Sequence, residues 1–203
     1  MAKKPQKWTP TTMSTSPNLD HLQQVQELNR AFLAFIQTRL REQQDGLGLP
    51  TVARTALRLA SAELLDVVAA FPQALFRLQL APSPSPVLRD VARFAPDAAL
   101  HDMCSAILWS ARYASRHSAY QARLLFGLQA ADVQRLRALP VADLQRFAWV
   151  PGILQCAFAD QEWLWQGLLR ATQPESRQQL TLLALQPGIE RDWPLRRPPQ
   201  SVL

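Results

Sequence analysis

The chain has 203 residues, a net charge of +6, a pI near 10.1 and a hydrophobic fraction of 48%. It is long enough to bury a real core, as one large domain or two small ones. No apolar run nears the ~18 residues of a membrane span, and no hydrophobic stretch follows the basic Met1–Lys7 as a signal peptide requires.

The basic balance permits binding to nucleic acid or an anionic surface without demanding it, since Arg on a wet face gives the same charge. Cys104 and Cys156 form neither a disulfide framework nor a metal-spaced pair, which suits a reducing cytoplasm. Few glycines, abundant Leu, Ala, Gln and Arg, and few Val/Ile/Thr runs favour helix over strand.

Residues 1–17 are rich in Lys, Thr, Ser and Pro and read as a disordered leader, in which Met13 offers an alternative start. Ser16-Pro17-Asn18 supplies a cap for a long helix with Leu22, Val25, Leu28, Phe32, Ile36 and Leu40 on one face. Asp45-Gly46 and Gly48 stop it. Short helices follow at 51–60 and, capped by Ser61, at 62–70, and Phe71-Pro72 ends the second. The alternation in 73–80 fits a helix turn or a strand.

Residues 81–86 are a Pro/Ser linker, and 87–95 read as a short helix. Pro96-Asp97 opens a second long helix running through Leu125, and Gly127 plays the part of Gly48. Helices at 130–139 and 141–149 come next, with Pro140 at the start of the latter. Asp160 is placed to cap 161–172, and an amphipathic helix with Leu180 and Leu183 fills 173–186. Residues 187–203 read as a disordered basic tail.

Residues 48–75 and 127–154 look like versions of each other, 79 positions apart. Eight of the columns are identical: Gly48/Gly127, Leu49/Leu128, Leu57/Leu136, Arg58/Arg137, Leu65/Leu144, Ala69/Ala148, Pro72/Pro151 and Leu75/Leu154. Roughly two or three are expected by chance in a chain this rich in Leu and Ala. The expected fold is therefore all-α: two related multi-helix units, at 18–80 and 87–172, each a long helix followed by two short ones.

Signatures of catalysis are sparse. The chain has no Gly-x-Gly-x-x-Gly, phosphate loop, nucleophile elbow or His-Glu-x-x-His. His21, His101 and His117 fall on separate helical stretches and form no expected cluster; Asp160 and Glu162, two apart, diverge. Neither a metal nor a cofactor is expected. Most of Trp109, Trp149, Trp163 and Trp165 should be core. Trp163 and Trp165 cannot both face inward from one helix, so one of them is an interface candidate. Arg112, Arg116 and Arg123, with Tyr113 and Tyr120 between them, give the second long helix a basic face within reach of phosphates. A solvated face with Arg stems over apolar surface is the competing reading. Arg135, Arg137 and the tail residues Arg191, Arg196 and Arg197 add charge without defining a site.

Residues 106–160 carry a helix ending in Ala122-Arg123-Leu124-Leu125-Phe126-Gly127-Leu128, then Leu136-Arg137-Ala138-Leu139-Pro140, Leu144-Gln145-Arg146-Phe147 and the Cys-containing run Ile153–Phe158. The first unit offers Glu27-Leu28-Asn29-Arg30-Ala31-Phe32-Leu33, then Gly48-Leu49 and Leu75–Leu78. This order of elements resembles the D subunit of the bacterial flagellar master transcriptional regulator, over some 120 residues counting both units. The chain departs from that family at Asp45-Gly46, which interrupts the first helix, and at Ser61, which replaces a proline. It also carries two units where the family has one.

The resemblance implies an activator component with an internal pseudo-dimer, working on promoter DNA with a zinc-containing C-type partner subunit. The zinc would belong to the partner. Control of motility or of conjugative mobile elements is the implied setting. By position, Arg123, Arg135, Arg137 and Arg146 are carried over as DNA or partner contacts, and no catalytic residue is. The alternative is a non-enzymatic adaptor of a secretion or conjugation apparatus; a small enzyme is the third reading.

Overall fold

The computed structural model describes residues 17–80, 97–170, 179, 180 and 182. The leader, the linker, the 87–95 helix, the basic tail and most of the 173–186 helix lie outside them. Among the described residues the protein is all-α apart from one short strand pair. Helix α1 (Pro17–Arg41) leads to α2 (Thr51–Leu59), α3 (Ala62–Ala69) and strand β1 (Phe76–Leu78). Then come α4 (Ala98–His117), α5 (Ala119–Phe126), α6 (Ala130–Ala138), α7 (Val141–Phe147), strand β2 (Leu154–Cys156) and α8 (Glu162–Arg170).

Shifting α2 by 79 gives 130–138, the bounds of α6, and shifting α3 gives 141–148, one residue longer than α7. Gly48 and Gly127, which occupy matching places, both take positive φ, 78° and 63°, a geometry open to glycine at little cost. The buried positions match as well: Leu57/Leu136, Leu65/Leu144, Val68/Phe147, Ala69/Ala148, Ala74/Ile153 and Leu75/Leu154. In the long helices the same shift pairs Val25/Cys104, Asn29/Leu108, Phe32/Ala111, Leu33/Arg112 and Ile36/Ser115, all buried.

The two units pack about a pseudo-twofold axis. Strands β1 and β2 pair antiparallel, Phe76 opposite Cys156 and Arg77 opposite Gln155. The 79-residue shift turns each of these pairs into the other. Helices α1 and α4 also run antiparallel: Gln24 Nε2 reaches Ser110 Oγ at 3.3 Å near one end, and Arg39 pairs with Asp97 near the other. Helix α8 of the second unit lies on α2 and α3 of the first. The units are thus interlocked into one core.

Two details differ from the sequence expectation, each for a local reason, and of the two alternatives for 73–80 the strand is the one formed, β1. The second long helix breaks at Ser118, whose backbone is extended (φ −150°, ψ 111°). Its hydroxyl accepts from Gln121 N at 3.2 Å, offering the chain a cap in place of a continued helix. Helix α8 begins one residue later than the position an Asp160 cap would set: Leu164 N donates to Gln161 O at 3.0 Å.

Asp97 caps α4, accepting from Leu100 N at 2.9 Å, and it binds Arg39. Burial pushes its carboxyl up, but the Leu100 bond and the Arg39 guanidinium outweigh this and hold it below the ordinary carboxylate value. A lowered folded-state value means stabilisation present above the ordinary range and lost as pH falls through the lowered one. Asp97→Ala is expected to cost about 1 kcal/mol as a lost cap, read as a fall in Tm at neutral pH that shrinks on acidification.

Candidate interaction face

Exposed large side chains stand one turn apart on each of two helices: Trp109 and Tyr113 on α4, Tyr120 and Leu124 on α5. Arg116 and Arg123 are exposed beside them. No Asp or Glu occurs in the sequence between Asp102 and Asp132, so α4 beyond Asp102 and the whole of α5 contribute no acid of their own. The first unit carries nothing similar: Trp109, Tyr113 and Tyr120 correspond to Arg30, Ala34 and Arg41.

The basic candidates separate into kinds. Arg116 and Arg123 face solvent as expected. Arg112 does not: it is only 7% exposed, with its guanidinium carbon 5.8 Å from the Trp109 ring centre. As a residue of a solvated phosphate-binding face it is misplaced, because its helix position points into the core of the second unit. Arg135 Nη1 binds Leu80 O at 2.6 Å and Arg137 Nε binds Ser115 O, so both tie elements together. Arg146 is exposed and lies 3.4 Å from Asp143. Of the two interface tryptophans, Trp165 is core, 1% exposed, with its Nε1 donating to Ala157 O at 3.1 Å. Trp163 is half-buried.

The histidines meet where the sequence gave no sign of it. Antiparallel packing of α1 on α4 brings His21 within 6.2 Å of His117, ring centre to ring centre, with the Tyr113 ring tilted against both. His117 Nδ1 lies 2.9 Å from Tyr113 O. Among the described residues no group of three His, Cys, Asp or Glu could hold a metal ion. His101 lies against Trp149 at 3.8 Å, with Asp102 at 3.3 Å on Nδ1 and Ser105 at 3.5 Å on Nε2. The order of contacts is that of a triad, but both distances exceed the ~2.6–3.2 Å of a working proton relay. Asp102 is also 83% exposed, so water screens its charge. A groove of about 340 Å³ between α1 and α3 is floored by Arg30 and Asp66, 2.7 Å apart and both well solvated.

Cys104 and Cys156 are buried free thiols. Burial, helped by Asp97 near the first and Asp45 near the second, pushes both up to about 12. Thiolate is the reactive form, so neither should react with Ellman's reagent in native protein at neutral pH, and both should react once urea unfolds the chain. Rapid native labelling would show the core to be open there.

Compared with known proteins, the chain matches no family model, no curated protein and no solved structure. Its class follows from the fold: an all-α protein of two interlocked, related units. Among the described residues no helix is long and apolar enough to cross a membrane.

Proposed function

We propose that the chain is a component of a transcriptional regulator that acts on promoter DNA together with a partner subunit. One observation carries this: α4 beyond Asp102 and α5 carry no acid, and Arg116 and Arg123 stand exposed on them along with Trp109, Tyr113 and Tyr120. Exposed Arg neutralises backbone phosphates, while exposed Trp, Tyr and Arg together form the composition of protein hot spots. The interlocked pseudo-dimer supports the resemblance to the flagellar regulator's D subunit, and the zinc-containing C-type subunit is the proposed partner.

The test is duplex binding by fluorescence anisotropy, with and without that partner. Two or three phosphate contacts predict a loss of about 10–40-fold between 50 and 200 mM salt. Arg116→Gln with Arg123→Gln should abolish most of the binding and flatten the salt slope. Absent or salt-insensitive binding in both settings would favour the adaptor of a secretion or conjugation apparatus, for which the aromatic residues of the same helices would suffice.

A further inference from the structure

Two polar side chains stand where the first unit is apolar: Arg112 takes the place of Leu33, and Ser115 that of Ile36. Both are more than nine-tenths buried. Arg112 Nε and Ser115 Oγ have no hydrogen-bond partner among the described residues. The neighbour that does reach this turn is another cation, Arg137, bound to the Ser115 carbonyl. No described carboxylate pairs with Arg112. Nε is the one nitrogen of this guanidinium that is both fully buried and unpartnered, so the others can still meet an anion, and one with two oxygens is the natural complement of the fork.

We propose that Arg112 receives a carboxylate, and that the exposed face of α4 beside it docks an acidic amphipathic helix of a protein partner. The Arg fork matches a carboxylate or a phosphate equally well. The neighbouring exposed rings select between them: Trp109 and Tyr113 suit the apolar side of a helix carrying Glu or Asp better than a duplex backbone. The surroundings suit such a helix. Arg116 and Arg123 lie in the acid-free stretch, Asp20 beside His21 is the acid at its edge, and Trp109, Tyr113 and Tyr120 supply apolar contact. The inference gives the partner's chemistry and rests on the proposed function only for the complex in which it operates.

The full chain, labelled with ¹⁵N at arginine, would be titrated with acetate, inorganic phosphate and chloride while the Arg112 Nε–H signal is followed. Anisotropy would then compare a fluorescein-labelled helical peptide, with Glu and Leu at three-and-four spacing, with duplex DNA. Acetate should shift the Arg112 signal and chloride should not. Arg112→Leu should weaken the peptide about 10–100-fold, Arg112→Lys should restore part of the loss, and DNA binding should be unchanged. An unmoved signal, or equal peptide affinity in Arg112→Leu, overturns the site. A response to phosphate alone, or DNA binding lost in parallel with the peptide, overturns the carboxylate assignment. Failure of DNA binding with peptide binding intact strikes the proposed function and leaves this site standing.

Discussion

Asn29→Leu is expected to destabilise the protein by about 3–5 kcal/mol, the largest effect of any single substitution discussed for this fold. Asn29 is fully buried in α1. Its Nδ2 donates to Gln73 O at 2.8 Å and Phe71 O at 3.2 Å, with Ala69 O at 3.4 Å sharing a hydrogen. Its Oδ1 accepts from Leu75 N at 2.8 Å. One side chain thus satisfies the backbone of the whole turn that carries the chain from α3 into β1. Leucine is close in size and stands at the matching position, Leu108, of the second unit, so volume is not the issue. What is lost is the satisfaction of several buried backbone groups at once, each worth about 1–3 kcal/mol when orphaned. Urea unfolding would measure it as a lower midpoint. A loss under about 1 kcal/mol would mean that the turn finds other partners.

The helices were readable because their apolar spacing and stops are local, and the repeat was readable because Gly48/Gly127 and Pro72/Pro151 punctuate it twice. The β1–β2 pair was not, since its strands are three residues each and the pairing joins positions far apart in sequence. The break at Ser118 was hidden for another reason: serine is tolerated in a helix, and only the surrounding contacts decide whether it caps one. His21 and His117 meet through helix packing, which no local pattern encodes. Arg112 was misread as a wet-face residue because Arg is rarely buried. A signal did exist. Extending the 79-residue comparison upstream of Gly48 sets Arg112 against the core residue Leu33 and Ser115 against Ile36.

That comparison leads to a second large effect, of opposite sign. Arg112→Leu is expected to stabilise the isolated chain by about 1–2 kcal/mol, because it replaces a largely buried guanidinium with an unpartnered Nε by the residue its counterpart already has. For a chain of this size that is a rise in Tm of about 2–8 °C. Two effects oppose it: the lost cation–π contact with Trp109, about 0.5–1 kcal/mol, and the smaller volume of leucine. Neither matches removal of a buried guanidinium with no described counter-ion. The comparison by calorimetry is decisive in sign. If Arg112→Leu lowers Tm, the guanidinium is already compensated within the fold, and no anion is needed to explain it. If it raises Tm while the acidic peptide is lost, the wild-type chain retains a destabilising charge that only a bound carboxylate relieves. Stability given up at one buried position, and recovered on binding, marks a residue kept for its partner.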